Sequence, residues 1–131
     1  MLQAHDTIAR REVKNFRGQV VNSTGDGFVL AFNGPTRAIQ CAQAIMEGLS
    51  RLGLSMRAGL HTGECERRDN DLSGLAVHIA SRISSRTPPN SILVSSTVRD
   101  LVAGSGIRFT DQGTYSLKGV PGEWTLYTVV Q

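Results

Sequence analysis

The sequence predicts an α+β fold, with one mainly antiparallel sheet and helices on one face. Two observations carry that prediction. Apolar residues recur at helical spacing in four stretches, and they alternate or run together in short strand-like stretches between them. The strand-like stretches are joined by tight turns rich in glycine, a signal of hairpins rather than of long crossovers. The length of 131 residues fits one domain over 1–131 with a core of its own.

Leu2, Ile8, Ala9, Val13 and Phe16 fall at helical spacing over 2–16, and Arg17-Gly18 stops that helix. Residues 19–32, QVVNSTGDGFVLAF, read as strand, tight turn, strand. Asn33-Gly34-Pro35-Thr36 opens a second helix, with Pro35 in its first turn. Its buried stripe is Ile39, Ala42, Ile45, Met46, Leu49 and Leu52, and Gly53 ends it. Residues 55–64, SMRAGLHTGE, alternate as a strand, and CERRDNDLS after them reads as a polar loop. GLAVHIASRISSR (74–86) is a third helix with Ser73 as candidate N-cap, broken by Pro88-Pro89-Asn90. SILVS is a short buried strand and STVRDLVAG a two-turn helix closed by Gly104. Residues 107–130 read as strands joined by Gly-containing turns.

Bulk properties exclude several classes of function. The net charge of +3 permits an anionic ligand, but no run of Lys/Arg marks a nucleic-acid face, and 5% aromatics argues against a base-stacking platform. Cys41 and Cys65 show no metal spacing and fit a reducing compartment. The charged, amphipathic N-terminus is not a signal peptide, and no apolar run reaches the ~20 residues of a membrane span. The expectation is a cytoplasmic chain with no membrane segment and no nucleic-acid partner.

VNSTGDGF (21–28) sets Asp26 between two glycines and two apolar runs. On local evidence this is a hairpin tip, since Gly supplies φ > 0 at no steric cost and Asp tolerates the same region. Three islands follow one another in the chain: VVNSTGDGFVLAF, then MRAGLHTGE, then DLSGLAVHIASRI with ILVSSTVRDL and YSLKGV after it. In this order they resemble the catalytic domain of class III adenylate/guanylate cyclases over almost the whole chain. The resemblance implies a ferredoxin-like, cyclase-type sheet and a head-to-tail homodimer with active sites shared across the interface. It implies conversion of ATP or GTP to the 3′,5′-cyclic nucleotide and pyrophosphate with two Mg²⁺ or Mn²⁺ ions.

By that resemblance Asp26 is a metal-binding aspartate, a hard oxygen ligand suited to Mg²⁺. Arg57 matches an arginine that contacts the triphosphate, where the plain reading is a solvated strand arginine. Asp71 matches the acceptor for the purine amino group, against a loop aspartate beside a helix start. His78 and Arg82, i and i+4, share a helix face. Arg82 matches the arginine that neutralises charge building on the α-phosphoryl group, a task suited to an always-charged planar guanidinium; the plain alternative is a surface arginine. Lys118 matches a lysine on the terminal phosphates, against a turn lysine.

Three positions depart from the family pattern. Asn22 stands where adenylate cyclases usually carry a lysine that reads adenine, and its amide can still donate and accept. His78 stands where an asparagine orients ribose and the attacking group; the alternative is a core histidine. The family's first metal aspartate lies on a strand ahead of the helix that LQAHDTIARREV resembles, and Met1 already lies in or near that helix. The expectation is therefore an N-terminally shortened sheet and a metal pair short of one ligand. The chain would be an adenylate cyclase domain whose activity alone is impaired, or else a catalytically silent module that dimerises or binds nucleotide.

Overall fold

The computed structural model describes residues 2–24, 27–68 and 71–130. In chain order the elements are α1 (Leu2–Asn15), β1 (Gln19–Thr24), β2 (Gly27–Ala31), α2 (Pro35–Ser50), β3 (Arg57–Leu60), β4 (Glu66–Arg68), β5 (Asp71–Ser73), α3 (Leu75–Arg86), β6 (Ser91–Ser95), α4 (Ser96–Leu101), β7 (Phe109–Ser116) and β8 (Glu123–Val129). The α+β class holds, and four of the five strand pairings are antiparallel. The fifth, β3 with β6, is parallel, because α3 is the crossover between them.

Two parts of the expected architecture are corrected. The strands form three sheets among the described residues: a four-stranded sheet ordered β3-β6-β8-β7 and two-stranded sheets β1-β2 and β4-β5. Helices also cover both faces of the larger sheet. Ile92 and Val94 of β6 pack with Ile39, Ala42 and Met46 of α2 and Val98 of α4. Leu93, between them, packs on the other side with Ile79 and Ile83 of α3. Successive strand residues point to opposite faces, so an uninterrupted apolar run such as SILVS needs cover on both.

The close approach of α3 to the sheet is set by one glycine. A side chain on Gly59 of β3 would overlap the backbone of Ser84, so only Gly lets the helix lie against that strand. Neighbouring Ala58 and Leu60 pack against the α2 side. A further cluster joins Ile8, Ala9 and Val13 of α1 to Cys41, Ile45 and Leu49 of α2, with Phe28, Leu30 and Phe32 of the first hairpin packed against it.

Smaller expectations also change. Leu52 lies beyond α2 and is exposed. The strand expected over 55–64 is confined to Arg57–Leu60, and the expected loop after it contains the β4-β5 hairpin. Ser73 belongs to β5, and the α3 N-cap is Gly74, with φ 122° and no side-chain cap. Among the described residues no helix is long and apolar enough to cross a membrane.

Candidate functional site

The site is built on α3. Ala76, Ile79 and Ile83 are buried, which fixes the helix's rotation about its own axis. Residues 78, 82 and 86 follow one another at i+4 spacing and share a neighbouring face. That face meets the end of β7 and the turn after it, residues 115–119.

His78 Nε2 lies 3.1 Å from the Lys118 carbonyl oxygen. A carbonyl only accepts, so Nε2 donates and the neutral ring keeps its lone pair on Nδ1. The turn is shaped for this contact: Gly119 has φ 77°, and a side chain there would begin 3.0 Å from His78 Nε2. Arg86 places its guanidinium 4.5 Å from the Tyr115 ring centroid and donates a long bond, 3.5 Å, to the Ser116 carbonyl. Leu117 and Val120 are buried with Ile79 and Ile83, which anchors the turn below Lys118.

Arg82 lies between those two contacts. Its Nε is buried and has no hydrogen-bond partner among the described residues. A buried donor left unsatisfied costs about 1–3 kcal/mol, more when charged. Glu123 lies opposite Ser116 across the β7-β8 pairing, and Arg82 and Arg86 on the helix and Lys118 on the turn are cationic. Such an arrangement attracts an anion with several acceptor oxygens and offers it a planar donor set.

The other residues singled out by sequence divide in a definite way. Asp71 lies on β5, which runs through Gly74 directly into α3. Asn22 lies on β1, beside β5, opposite Val29 and next to a register shift in the hairpin. The backbone thus gathers the strands of Asn22 and Asp71, His78, Arg82 and the Lys118 turn towards one side of the molecule. Arg57 is not gathered with them. It is exposed at the start of β3, opposite Ser91. The next residue, Ala58, accepts a 3.5 Å bond from Thr87 at the C-terminal end of α3. That level is about 13 Å along the helix axis from His78. Asp26 lies outside the described residues.

Among the described residues no three His, Cys, Asp or Glu side chains converge as a metal cage.

Arg86, Tyr115 and His61 were not singled out from sequence. Arg86 had one readable signal, its i+8 relation to His78 across Arg82. Tyr115 had none, since its part depends on a contact across the fold. His61, just after β3, has Nδ1 2.7 Å from Ser95 Oγ, and its ring meets Trp124 edge-on at 5.4 Å between centroids. Burial pushes its pKa below the ordinary histidine value.

A Rhizobium meliloti protein is 27% identical over 113 residues, covering 79% of this chain and 19% of its own length. The pH-sensitive adenylate cyclase of Mycobacterium tuberculosis is 30% identical over 78 residues, covering 56% of this chain and 20% of its own length. The chain thus spans about a fifth of either relative. Among solved structures, the adenylate/guanylate cyclase/hydrolase of Silicibacter pomeroyi superposes with a TM-score of 0.87 at 25% identity, over 94% of this chain and 77% of that one. An adenylate cyclase of Trypanosoma brucei shares the fold, with a TM-score of 0.89 at 21% identity over 98% of this chain and 76% of its own. The family model for the adenylate and guanylate cyclase catalytic domain matches residues 1–131. The chain belongs to the adenylate and guanylate cyclase catalytic domain family.

Proposed function

We propose that this nucleotidyl cyclase domain acts on ATP, forming 3′,5′-cyclic AMP and pyrophosphate as one half of a head-to-tail homodimer in the cytoplasm. The observation that carries the reading is the buried Nε of Arg82, which has no hydrogen-bond partner among the described residues and sits on α3 between His78 and Arg86, both of which contact residues 115–118. An unsatisfied donor on a cationic group favours an anionic partner such as a phosphoryl oxygen.

The reaction is an in-line displacement. The ribose 3′-oxygen attacks the α-phosphorus and pyrophosphate leaves. Arg82 meets the charge that builds on the α-phosphoryl oxygens, and its fixed position limits reorganisation at the moment of reaction. Lys118 binds the terminal phosphates. Asp71 accepts from the adenine amino group, and Asn22 adds a neutral hydrogen bond to the ring. His78 orients the ribose through its free Nδ1. Two bound Mg²⁺ or Mn²⁺ ions would neutralise phosphate charge and favour the ionised 3′-oxygen, held in part by Asp26.

Arg57 and Asp26 act on the opposite half-site, contributed by the partner. The separation of Arg57 from the α3 face supports this division, since one chain does not close both sets around one triphosphate. The family's remaining metal aspartate belongs, by the resemblance, to a strand ahead of α1 and outside these residues.

ATP is preferred over GTP, but modestly. Asp71 suits adenine's amino group and opposes guanine's O6, while Asn22 adds a neutral bond worth about 0.5–1.5 kcal/mol net. The test is to incubate the full-length protein with Mn²⁺ and each nucleotide and measure cyclic product and pyrophosphate. Cyclic AMP in excess over cyclic GTP is the expected result. Equal kcat/KM for the two nucleotides removes Asp71 and Asn22 as base readers, and pyrophosphate release without cyclic product removes the cyclase reading.

A further inference from the structure

The face of α3 that carries Arg82 is attached to residues 115–119 at two points, and the site reading uses only one of them. His78 holds the Lys118 carbonyl from the N-terminal side. Arg86 holds the other end through the Tyr115 ring and the Ser116 carbonyl. We propose that Arg86 and Tyr115 are positioning residues. Their stacked pair straps 115–119 to α3 and so sets the spacing between Lys118 and Arg82 that a polyphosphate needs. The ligand in this inference rests on the cyclase reading; the strap itself does not.

Several observations fix the pair. The pairing of β7 with β8 shifts register between Asp111 and Thr114, which re-aims the strand just before Tyr115. Tyr115 donates its hydroxyl to the Gln112 carbonyl, so the phenol ring is tethered at its far end. Below the strap, Leu117 and Val120 are buried, and Val120 N donates to Leu117 O at 3.0 Å. Above it, Lys118 is exposed. The main chain therefore pivots on Leu117, with Arg86 restraining one side of the pivot and His78 the other. Releasing Arg86 frees the side that leads into Lys118.

The choice of arginine follows from the geometry. A guanidinium is planar and weakly hydrated, so it lies flat on a ring and still reaches a carbonyl. Arg86 also closes the last turn of α3, where a cation is favoured by the helix dipole.

The test uses the full-length protein with Arg86→Met, Tyr115→Leu, the two combined, and Tyr115→Phe. The probe for binding is inorganic tripolyphosphate, measured by calorimetry, because it cannot be turned over. Arg86→Met and Tyr115→Leu each weaken tripolyphosphate by about two- to fivefold, the order expected from loss of an exposed cation–π contact. The double variant binds no worse than either single one, because both remove the same strap. Tyr115→Phe, which keeps the ring, recovers the affinity lost in Tyr115→Leu. In turnover, KM for ATP rises in Arg86→Met more than kcat falls. Backbone amides of 116–119 exchange faster in Arg86→Met, while those of β6 and β8 do not.

Unchanged tripolyphosphate affinity and unchanged exchange in Arg86→Met overturn the proposal. Faster exchange without any loss of affinity overturns its role towards the ligand. A wild-type protein that makes no cyclic nucleotide removes the cyclase reading alone, because the exchange measurement still decides the strap.

Discussion

Arg82 carries the functional reading at the scale of single residues, and it separates activity from stability. The unsatisfied buried Nε is a cost to the ligand-free fold. Arg82→Met therefore leaves the unfolding free energy equal or higher in chemical denaturation, while kcat falls by roughly 10²–10³. A large loss of stability in the same variant would show that Arg82 serves the fold. The thiols give a second check. Burial, with Glu12 adding to it, pushes the Cys41 thiol up to about 12, whereas Cys65 is exposed. One thiol per chain is expected to react quickly with a disulfide reagent in native protein, and the second only after unfolding. His61 adds a pH signature. Its folded pKa is lowered by burial, so the unfolded chain binds the extra proton first. Its contribution to stability is present above the ordinary histidine value of about 6.5 and is lost as pH falls below it. Denaturation midpoints measured through that window should fall with pH, and His61→Phe should flatten the slope.

At the scale of elements, the helices and longer strands were legible because each has a period and punctuation of its own. Pro35 opens α2 and SILVS is β6, both readable locally. The β4-β5 hairpin was not legible, since its strands are three residues each and hold a single apolar residue, Leu72, too little to show a period. Cover on both faces of the main sheet was written in SILVS, where Leu93 turns from α2 to α3, but only a partner helix shows which face it meets. In the site, the positions of His78 and Arg82 on one helix face were readable from spacing, and the strap was not, because Tyr115 meets Arg86 across 29 residues of chain. Two substitutions test the element packing. Gly59→Ala pushes a methyl group into the backbone of Ser84 and should cost about 1–3 kcal/mol, read from a denaturation midpoint. Ser95→Ala removes the acceptor for Val98 N at the start of α4 and the partner of His61, and should cost about 1–2 kcal/mol.

At the scale of the whole molecule, the central claim is that one active site is assembled from two chains. On the proposed reading the α3 face with its strap supplies the phosphoryl-stabilising half, and Asp26 with Arg57 supplies the other half from the partner. The direct measurement is complementation in the full-length protein. Asp26→Ala and Arg82→Ala are purified separately, each is assayed with Mn²⁺ and ATP, and the two are then mixed and allowed to exchange subunits. Each is silent alone. At equal mixing with random pairing, half of the dimers are heterodimers with one intact site of two, so recovery approaches about a quarter of wild-type cyclic AMP production. Subunits that demonstrably exchange without any recovery would contradict the shared site, and would place Asp26 and Arg82 in action within one chain.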